Sequence, residues 1–178
     1  MANYTNNEDK RGCKETGLYN NVLKVELGTG TEPVDTNELK AWGKIEQDED
    51  DDIITALGIA ARQVCEQFSG LGFFSRTVTA RIENANGGFG LPYGPVTTTP
   101  TATDVDGNSV TLTYNLGQIQ EPFGKLIVSY TGGYATLPEN LKTALKAQFL
   151  YMYENRGESN TGISPVAEMI LKPLRVVV

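Results

Sequence analysis

The stretch "YTGGYATLPENLKTALKAQFLYMYENRG", residues 130–157, contains the change of pattern that decides the fold. It starts at the end of an alternating, strand-like run, turns at Gly132-Gly133 and becomes helical at Pro138, a residue that suits the first position of a helix. Apolar side chains then recur at helical spacing, and Gly157 ends the pattern. The predicted helix covers 137–157. Its buried stripe consists of Leu141, Ala144, Leu145, Gln148, Phe149 and Met152.

A second amphipathic helix is predicted over residues 53–68. Its apolar positions are Ile53, Leu57, Ala60, Ala61, Val64, Cys65 and Phe68, and its outer positions are Thr55, Arg62, Gln63 and Glu66. A short helix precedes it and is capped by Asp35 or Thr36, so the upstream helical region covers 35–69. Neither stripe can be buried by one helix alone, and we therefore expect the two long helices to face each other.

Strand patterns fill residues 74–131, between the two helical regions. Val78, Ala80 and Ile82 alternate with polar residues, and Asp106-Gly107 is typical of a hairpin turn. About four strands are expected here, with one more short strand at 20–28. The predicted fold class is α+β: a small α-helical bundle with an inserted β-rich subdomain of about four strands.

Composition narrows the possible functions. The chain has 178 residues, which fits a single domain, and a net charge of −7 with no histidine. This charge argues against binding nucleic acid through a broad basic surface. No apolar run approaches the roughly 20 residues that span a bilayer. The polar N-terminus has no apolar signal core, so synthesis in the cytosol with reduced cysteines is expected.

The densest charge cluster is residues 46–52, which hold six acids in seven positions. Asp48, Asp50 and Asp52 have the spacing of a calcium loop, but that loop also needs glycine at its sixth position and glutamate at its twelfth. Ile53 and Ile59 occupy those positions. The simpler interpretation is that Asp48 or Asp50 caps the following helix and that the other acids lie against its N-terminal dipole.

Catalytic chemistry has little support in the sequence. Without histidine there is no Ser-His-Asp or Cys-His site and no common zinc site. Cys65 lies on an apolar face, and Cys13 has no visible activator. We predict no catalytic residues, no metal site and no cofactor.

The C-terminal tail, residues 164–178, is more apolar than a solvated tail requires. We predict that it docks on a partner, with its last five residues extended because Pro173 interrupts a helix. Packing against the chain's own helices is the alternative. The predicted partner-interface residues are Tyr153, Arg156, Ile170, Leu171, Leu174, Arg175, Val176, Val177 and Val178.

Three stretches, in order, resemble the head–tail connector (adaptor, or head completion) proteins of tailed double-stranded DNA bacteriophages. The first is "VDTNELKAWGKIEQDEDDDIITALGIAARQVCEQFSG", with a short helix, an acidic loop and a long alanine-rich helix. The second is "LPYGPV", similar to the entry into the family's hairpin. The third is residues 130–157, similar to the family's "Y-x-x-GY … YENR" signature. The resemblance covers roughly 33–175, while Gly43, Lys44 and the ending "LKPLRVVV" depart from it.

The resemblance implies a structural virion protein and not an enzyme. Such proteins form a ring, usually of twelve copies, under the portal protein, where they extend the DNA channel and seat the stopper or tail. The implied organisation is an N-terminal arm, 1–32, followed by a connector domain, 33–178. Implied partners are the portal, copies of the chain itself, and stopper or tail proteins. Genomic DNA would pass without specific binding, no membrane is involved, and assembly would occur in the host bacterial cytoplasm.

Three other functions remain as alternatives. Another neck or tail protein, such as a stopper or tail terminator, is disfavoured by the helix–sheet–helix order. A metal-dependent enzyme such as a nuclease would need partners for the acidic run that the sequence does not show. A β-type module of a cell-surface protein is disfavoured by the polar N-terminus.

Overall fold

The computed structural model describes residues 22–85, 89–115, 118–121, 124–156 and 162–175. The helices are α1 (Thr36–Gly43), α2 (Asp51–Ser69), α3 (Glu139–Glu154) and α4 (Pro165–Leu171), followed by a 3-10 turn at Lys172–Leu174. The strands are β1 (Val22–Leu27), β2 (Arg76–Ala85), β3 (Phe89–Gly90), β4 (Thr101–Thr103), β5 (Ser109–Val110), β6 (Thr113–Asn115), β7 (Gln118–Glu121) and β8 (Gly124–Gly132). The predicted α+β class is confirmed.

The helices form one unit with its own core. Asp35 caps α1, since its Oδ1 accepts the backbone N–H of Glu38 at 2.8 Å. Ser164 caps α4 in the same way, accepting from Ala167, and Pro165 holds the first helical position. The predicted facing of α2 and α3 is confirmed, and α4 packs on α3. The fully buried side chains of this core include Ile54, Ala61, Cys65, Ala144, Phe149, Ala167 and Leu171.

Two details of α2 differ from the prediction. Ile53 is 44% exposed, while its neighbour Ile54 is fully buried, and the buried face is rotated by about one residue from the predicted stripe along the helix. Asp50 stands at the N-cap position but its side chain makes no capping hydrogen bond. The predicted capping by Asp48 or Asp50 is therefore wrong, because Asp48 binds Lys40, and Asp50 binds Tyr153 and Arg156. The expected position of other acids at the start of the helix is confirmed, since Asp51 and Asp52 lie in its first turn.

The β unit consists of two antiparallel sheets. The larger has the strand order β1-β2-β8-β4-β5, and the smaller has the order β3-β7-β6. A second core, which includes Val78, Val128 and Ile119, lies between them. The hairpin at Asp106-Gly107 is confirmed as the β4–β5 turn, where Asp104 Oδ1 accepts the N–H groups of Asp106 and Asn108.

Among the described residues, the region of the predicted insertion contains seven strands, β2 to β8, and not about four. Five of them have four residues or fewer, and β8 continues to Gly132, one residue beyond the predicted end. Residues 22–27, which the sequence places in the N-terminal arm, form β1 and pair with β2. Residues 22–27 of the predicted arm therefore belong to the larger sheet. Residues 1–21 lie outside the described part of the chain.

The helical and β units meet where three chain segments cross, around Gly72, Gly94 and Gly133. Gly72 donates to the carbonyl of Gly94 at 2.8 Å, and Gly133 donates to that of Pro95 at 3.0 Å. Gly133 has a φ of +99°, and a Cβ at this position would collide with the carbonyl group of Phe74. Glycine is therefore required here for both conformation and space. This junction places the end of α2 beside the start of β2.

Candidate functional site

A cleft of about 470 Å³ lies at the junction of the helical and β units. One wall is the chain from Leu27 to Glu32, and the other is the last third of α2. Its lining residues are Leu27, Gly28, Thr29, Gly30, Glu32, Arg62, Gln63, Glu66, Gln67, Phe74, Arg76 and Tyr93. A concave site with convergent polar groups is the default candidate for a binding function.

A buried carboxylate, that of Glu66, organises the cleft. Glu66 Oε2 accepts from Arg62 Nη1 at 2.7 Å and from Arg76 Nη2 at 2.8 Å, while Oε1 accepts the N–H of Phe73 at 2.8 Å. Arg62 Nε also donates to Glu32 Oε2 at 2.8 Å. Two arginines and two glutamates thus form one network that joins α2, β2 and the loop after β1.

Aromatic rings enclose the guanidinium of Arg76. Its Cζ lies 4.7 Å from the ring centroid of Phe74 and 4.9 Å from that of Tyr93, and Arg62 also lies over Phe74 at 4.9 Å. Arg76 is only 5% exposed, and its Nε has no hydrogen-bond partner among the described residues. Burial, followed by the charge of Glu66, raises the pKa of the Tyr93 hydroxyl. Arg76 therefore keeps one buried donor that the described part of the chain does not satisfy.

Sequence reasoning missed this network. It placed Arg62 and Glu66 on the outer side of α2, whereas they are 5% and 2% exposed. The prediction is wrong because each charge is compensated inside the protein, by Arg76 from β2 and by Glu32 from the loop after β1. The one available signal was the i, i+4 spacing of Arg62 and Glu66, which also occurs on solvated helix faces.

The chain shares its fold with solved chains from gene transfer agent (GTA) particles. One comes from the neck of an empty GTA particle computed with C6 symmetry, at 18% identity and a TM-score of 0.68. Another comes from the virion of the native particle, at 17% and 0.68, and a third from the neck of the native particle computed with C12 symmetry, at 19% and 0.62. Each match covers 88% of this chain and 97% of the other. No protein-family model and no curated protein matches the chain.

Tyr153 and Arg156, two of the predicted interface residues, are brought together by Asp50. Asp50 Oδ2 accepts from the Tyr153 hydroxyl at 2.8 Å and from Arg156 Nη1 at 3.3 Å. The guanidinium of Arg156 also lies 4.0 Å from the ring centroid of Tyr153. Tyr153 and then Arg156 hold the pKa of Asp50 below its ordinary value. These contacts attach the acidic run to the end of α3.

The predicted interface residues of the C-terminal tail have different environments. Leu171 is fully buried in the chain's own core, which removes it from the surface available to a partner, and Ile170 is half-buried against that core. Leu174 is 40% exposed and lies in the 3-10 turn, so it is not extended as expected. Arg175 is exposed, with its guanidinium 5.5 Å from the ring centroid of Phe68. Val176, Val177 and Val178 lie outside the described residues.

Cys65, a candidate reactive group in the sequence, belongs to the core of the helical unit. Cys65 is buried between helices, and burial raises the pKa of its thiol to about 12, far from the reactive thiolate range. Cys13 lies outside the described residues. Within the described ranges, no group of three or more potential ligands is placed to hold a metal ion. In that same part of the chain, no helix is long and apolar enough to cross a membrane.

Proposed function

We propose that this chain is a structural protein of the neck of a phage-like particle. The observation that carries the proposal is the shared fold, which extends over 88% of this chain and 97% of chains taken from GTA necks. A match over 88% of this chain is too long to leave out either the helical unit or the β unit. The identities of 17–19% mean that sequence similarity contributes little to this argument.

Within the neck, we propose the role of head–tail adaptor. The chain would form a ring, usually of twelve copies, beneath the portal protein and would seat the stopper or tail. The order and spacing of the three phage-like stretches support this role, as does the C12 symmetry of one matched neck. The helix–sheet–helix order favours an adaptor over a stopper or tail terminator.

A net charge of −7 suits a conduit for DNA. Surfaces with the same sign of charge as the phosphate backbone do not retain the duplex. DNA would accordingly pass through the ring without specific contacts, and the protein would need neither cofactor nor membrane. It would be made and assembled in the host bacterial cytoplasm and would end in the virion.

Catalysis has no place in this proposal. The Cys65 thiol is held protonated, and the buried acids and bases of the cleft are paired with one another. These paired residues of the cleft stabilise the junction of the two units, and none of them is placed for proton transfer to a substrate.

Deletion of the gene followed by electron microscopy tests the proposal. We expect DNA-filled heads without tails, and tail attachment restored by adding purified protein to such heads. The added protein should then be found at the head vertex by labelling. The free protein should sediment as a monomer or weak oligomer and form its ring on the portal. Normal tailed particles from the deletion strain would contradict the neck assignment.

A further inference from the structure

Helix α4 is apolar on its outer face as well as on its inner face. Its inner side chains, Ala167 and Leu171, are fully buried in the helical core. On the other side Val166 is 48% exposed and Met169 is 70% exposed, and Pro173 extends this outer face into the 3-10 turn. A helix that is apolar on all sides is normally buried on all sides. The outer face of α4 is therefore expected to be covered by a partner.

The first half of α2 has an outer face of the same kind. Its residues 53–61 contain no charged side chain, although 21% of the whole chain is charged. Ile53 is 44% exposed, Ala56 is exposed and Ala60 is half-buried. These three positions, at i, i+3 and i+7, share one side of the helix. The same side becomes polar at Gln63, so its apolar part is confined to the start of α2.

One copy of the chain cannot cover either face with the other. Ala167 and Leu171 hold α4 against the chain's own core, and the backbone N–H of Ser164 donates to Gln148 Oε1 of α3 at 2.7 Å. The outer face of α4 therefore points away from that core. In a single copy both outer faces are exposed at the same time. Whatever covers them comes from a second molecule.

The two outer faces match in spacing when the helices run antiparallel. Val166 and Met169 lie three positions apart on α4, and Ala60 and Ala56 lie four apart on α2, so each pair spans about one helical turn of 5.4 Å. Met169 can then lie over Ala56 while Val166 lies over Ala60. Small side chains leave a groove on a helix surface, and the flexible side chain of methionine fills such irregular spaces.

The antiparallel orientation also brings opposite charges together. Lys172 follows α4, with its side chain 73% exposed and its Nζ 3.8 Å from Glu168 Oε1. Asp52 is exposed in the first turn of α2. When the C-terminal end of α4 lies beside the N-terminal end of α2, Lys172 comes next to Asp52. A parallel orientation would place Lys172 near the uncharged Gln63 instead, so charge favours the antiparallel one.

We propose that α4 of one copy packs antiparallel on the outer face of α2 of the next copy, with Met169 over Ala56 and Lys172 paired with Asp52. The two faces are different surfaces of the same chain, so the contact repeats from copy to copy and closes into a ring where the rotation permits. The C12 symmetry of one matched neck agrees with such a ring. The closed ring rests on the proposed function, whereas the pairwise contact can be measured on purified protein.

Methyl NMR tests the contact on the full-length protein. The chain is labelled at its alanine and methionine methyl groups and titrated with unlabelled chain up to millimolar concentration. We expect saturable shifts of the methyl signals of Ala56, Ala60 and Met169. No shift is expected at Ala41, an exposed alanine of α1 that serves as the matched control. Unchanged signals at the three contact residues, or an equal shift at Ala41, would overturn the proposal.

An unlabelled Met169→Asp chain distinguishes the two faces. Met169 is 70% exposed, so this variant should keep the fold and the melting temperature of the natural chain. Added to labelled natural chain, it should no longer shift Ala56 and Ala60. It should still shift the Met169 methyl of the labelled chain, because its own α2 face is intact. Loss of the Met169 shift as well would indicate pairing of like faces and refute the proposal.

The portal protein is the competing partner for the outer face of α4. Purified portal is therefore added to the same labelled chain. A shift of the Met169 methyl with portal, together with no shift on adding the chain itself, would assign this face to the portal and overturn the contact between copies.

Disulfide trapping tests the antiparallel register. In a Cys13→Ser background, a Met169→Cys chain is mixed with an Ala56→Cys chain at high concentration under mild oxidation. The control pair is Val166→Cys with Ile53→Cys, two exposed positions that lie far apart in the antiparallel arrangement. We expect the first pair to give roughly tenfold more mixed dimer, because only that pair is held in contact. Equal yields from the two pairs would refute the proposed packing.

This contact and the neck assignment can fail separately. Equal yields in the trapping experiment would refute the contact between copies and leave the neck assignment untouched. Normal tailed particles from the deletion strain would refute the neck assignment, and a specific dimer linked through positions 56 and 169 would then still establish the contact.

Discussion

Glu66 Oε2 on α2 lies 2.8 Å from Arg76 Nη2 on β2, and both side chains are almost completely buried. Only six residues separate the end of α2 from the start of β2, and the chain reverses between them. The ion pair therefore spans the joint between the helical and β units. Arg62 and the N–H of Phe73 complete the coordination of the same carboxylate.

Glu66→Gln should destabilise the protein strongly. Removing one partner of a buried ion pair costs about 3–5 kcal/mol, because a buried charge is left uncompensated. Here that charge is Arg76, whereas Arg62 keeps its pair with Glu32. Urea denaturation measures the effect. Glu26→Gln is the matched control, because Glu26 pairs with Lys24 on the exposed face of β1 and solvent-exposed ion pairs contribute little to stability. Equal midpoints for the two variants would show that the network does not hold the joint.

The Glu66–Arg76 ion pair is a feature that the sequence alone did not predict. Amphipathic periodicity was sufficient to predict α2, α3, the alternation in β2 and the β4–β5 hairpin, because each depends on neighbouring residues. The burial of Arg62 and Glu66 depends on Arg76 returning beside them from another element, which periodicity does not encode. The role of Asp50 as a cap was mispredicted for the same reason, since Asp50 binds Tyr153 from a helix about 100 positions away.

Leu57 and Leu145, at the centres of the two predicted stripes, should lose different amounts of stability when replaced by alanine. Leu145 is 2% exposed, so Leu145→Ala should cost about 2–5 kcal/mol. Leu57 is half-buried and packs at the margin of the core, so Leu57→Ala should cost less than Leu145→Ala. Denaturant midpoints of the two variants, measured side by side, check the order. A larger loss at Leu57 would mean that α2 is rotated relative to the structure.

Asp50 should titrate below its ordinary pKa of 3.8, because the Tyr153 hydroxyl and Arg156 stabilise its charged form. Since the folded-state pKa is lowered, the contribution of Asp50 to stability is present above the unfolded-state pKa. It is lost as the pH falls through the folded-state value. Carboxyl NMR titration should show the Asp50 pKa rising in Tyr153→Phe. Thr55→Val, which removes a hydroxyl that Asp50 does not contact, is the control, and identical titrations in all three proteins would contradict the assigned contact.

Gly133→Ala should be far more damaging than Gly107→Ala. Both glycines have positive φ, +99° and +89°, so alanine carries a similar backbone cost of about 1–2 kcal/mol at either site. Gly107 has open space around it, whereas a Cβ on Gly133 meets the backbone of Phe74 at the crossing of the two units. Thermal unfolding of the two variants isolates this steric difference. Similar melting temperatures would show that the crossing can relax.

Deleting residues 174–178 should leave the melting temperature nearly unchanged. The described part of this segment is exposed, and its one ring contact, Arg175 over Phe68, is of a kind that contributes about 0.5–1 kcal/mol. Leu171→Ala is the matched control, because it removes a fully buried side chain and should cost about 2–5 kcal/mol. If the tail end docks on the portal, the truncated protein should fold but fail to restore tails to neck-deficient heads. A folded truncation that restores tails as well as the intact chain does would show that the docking contacts lie elsewhere.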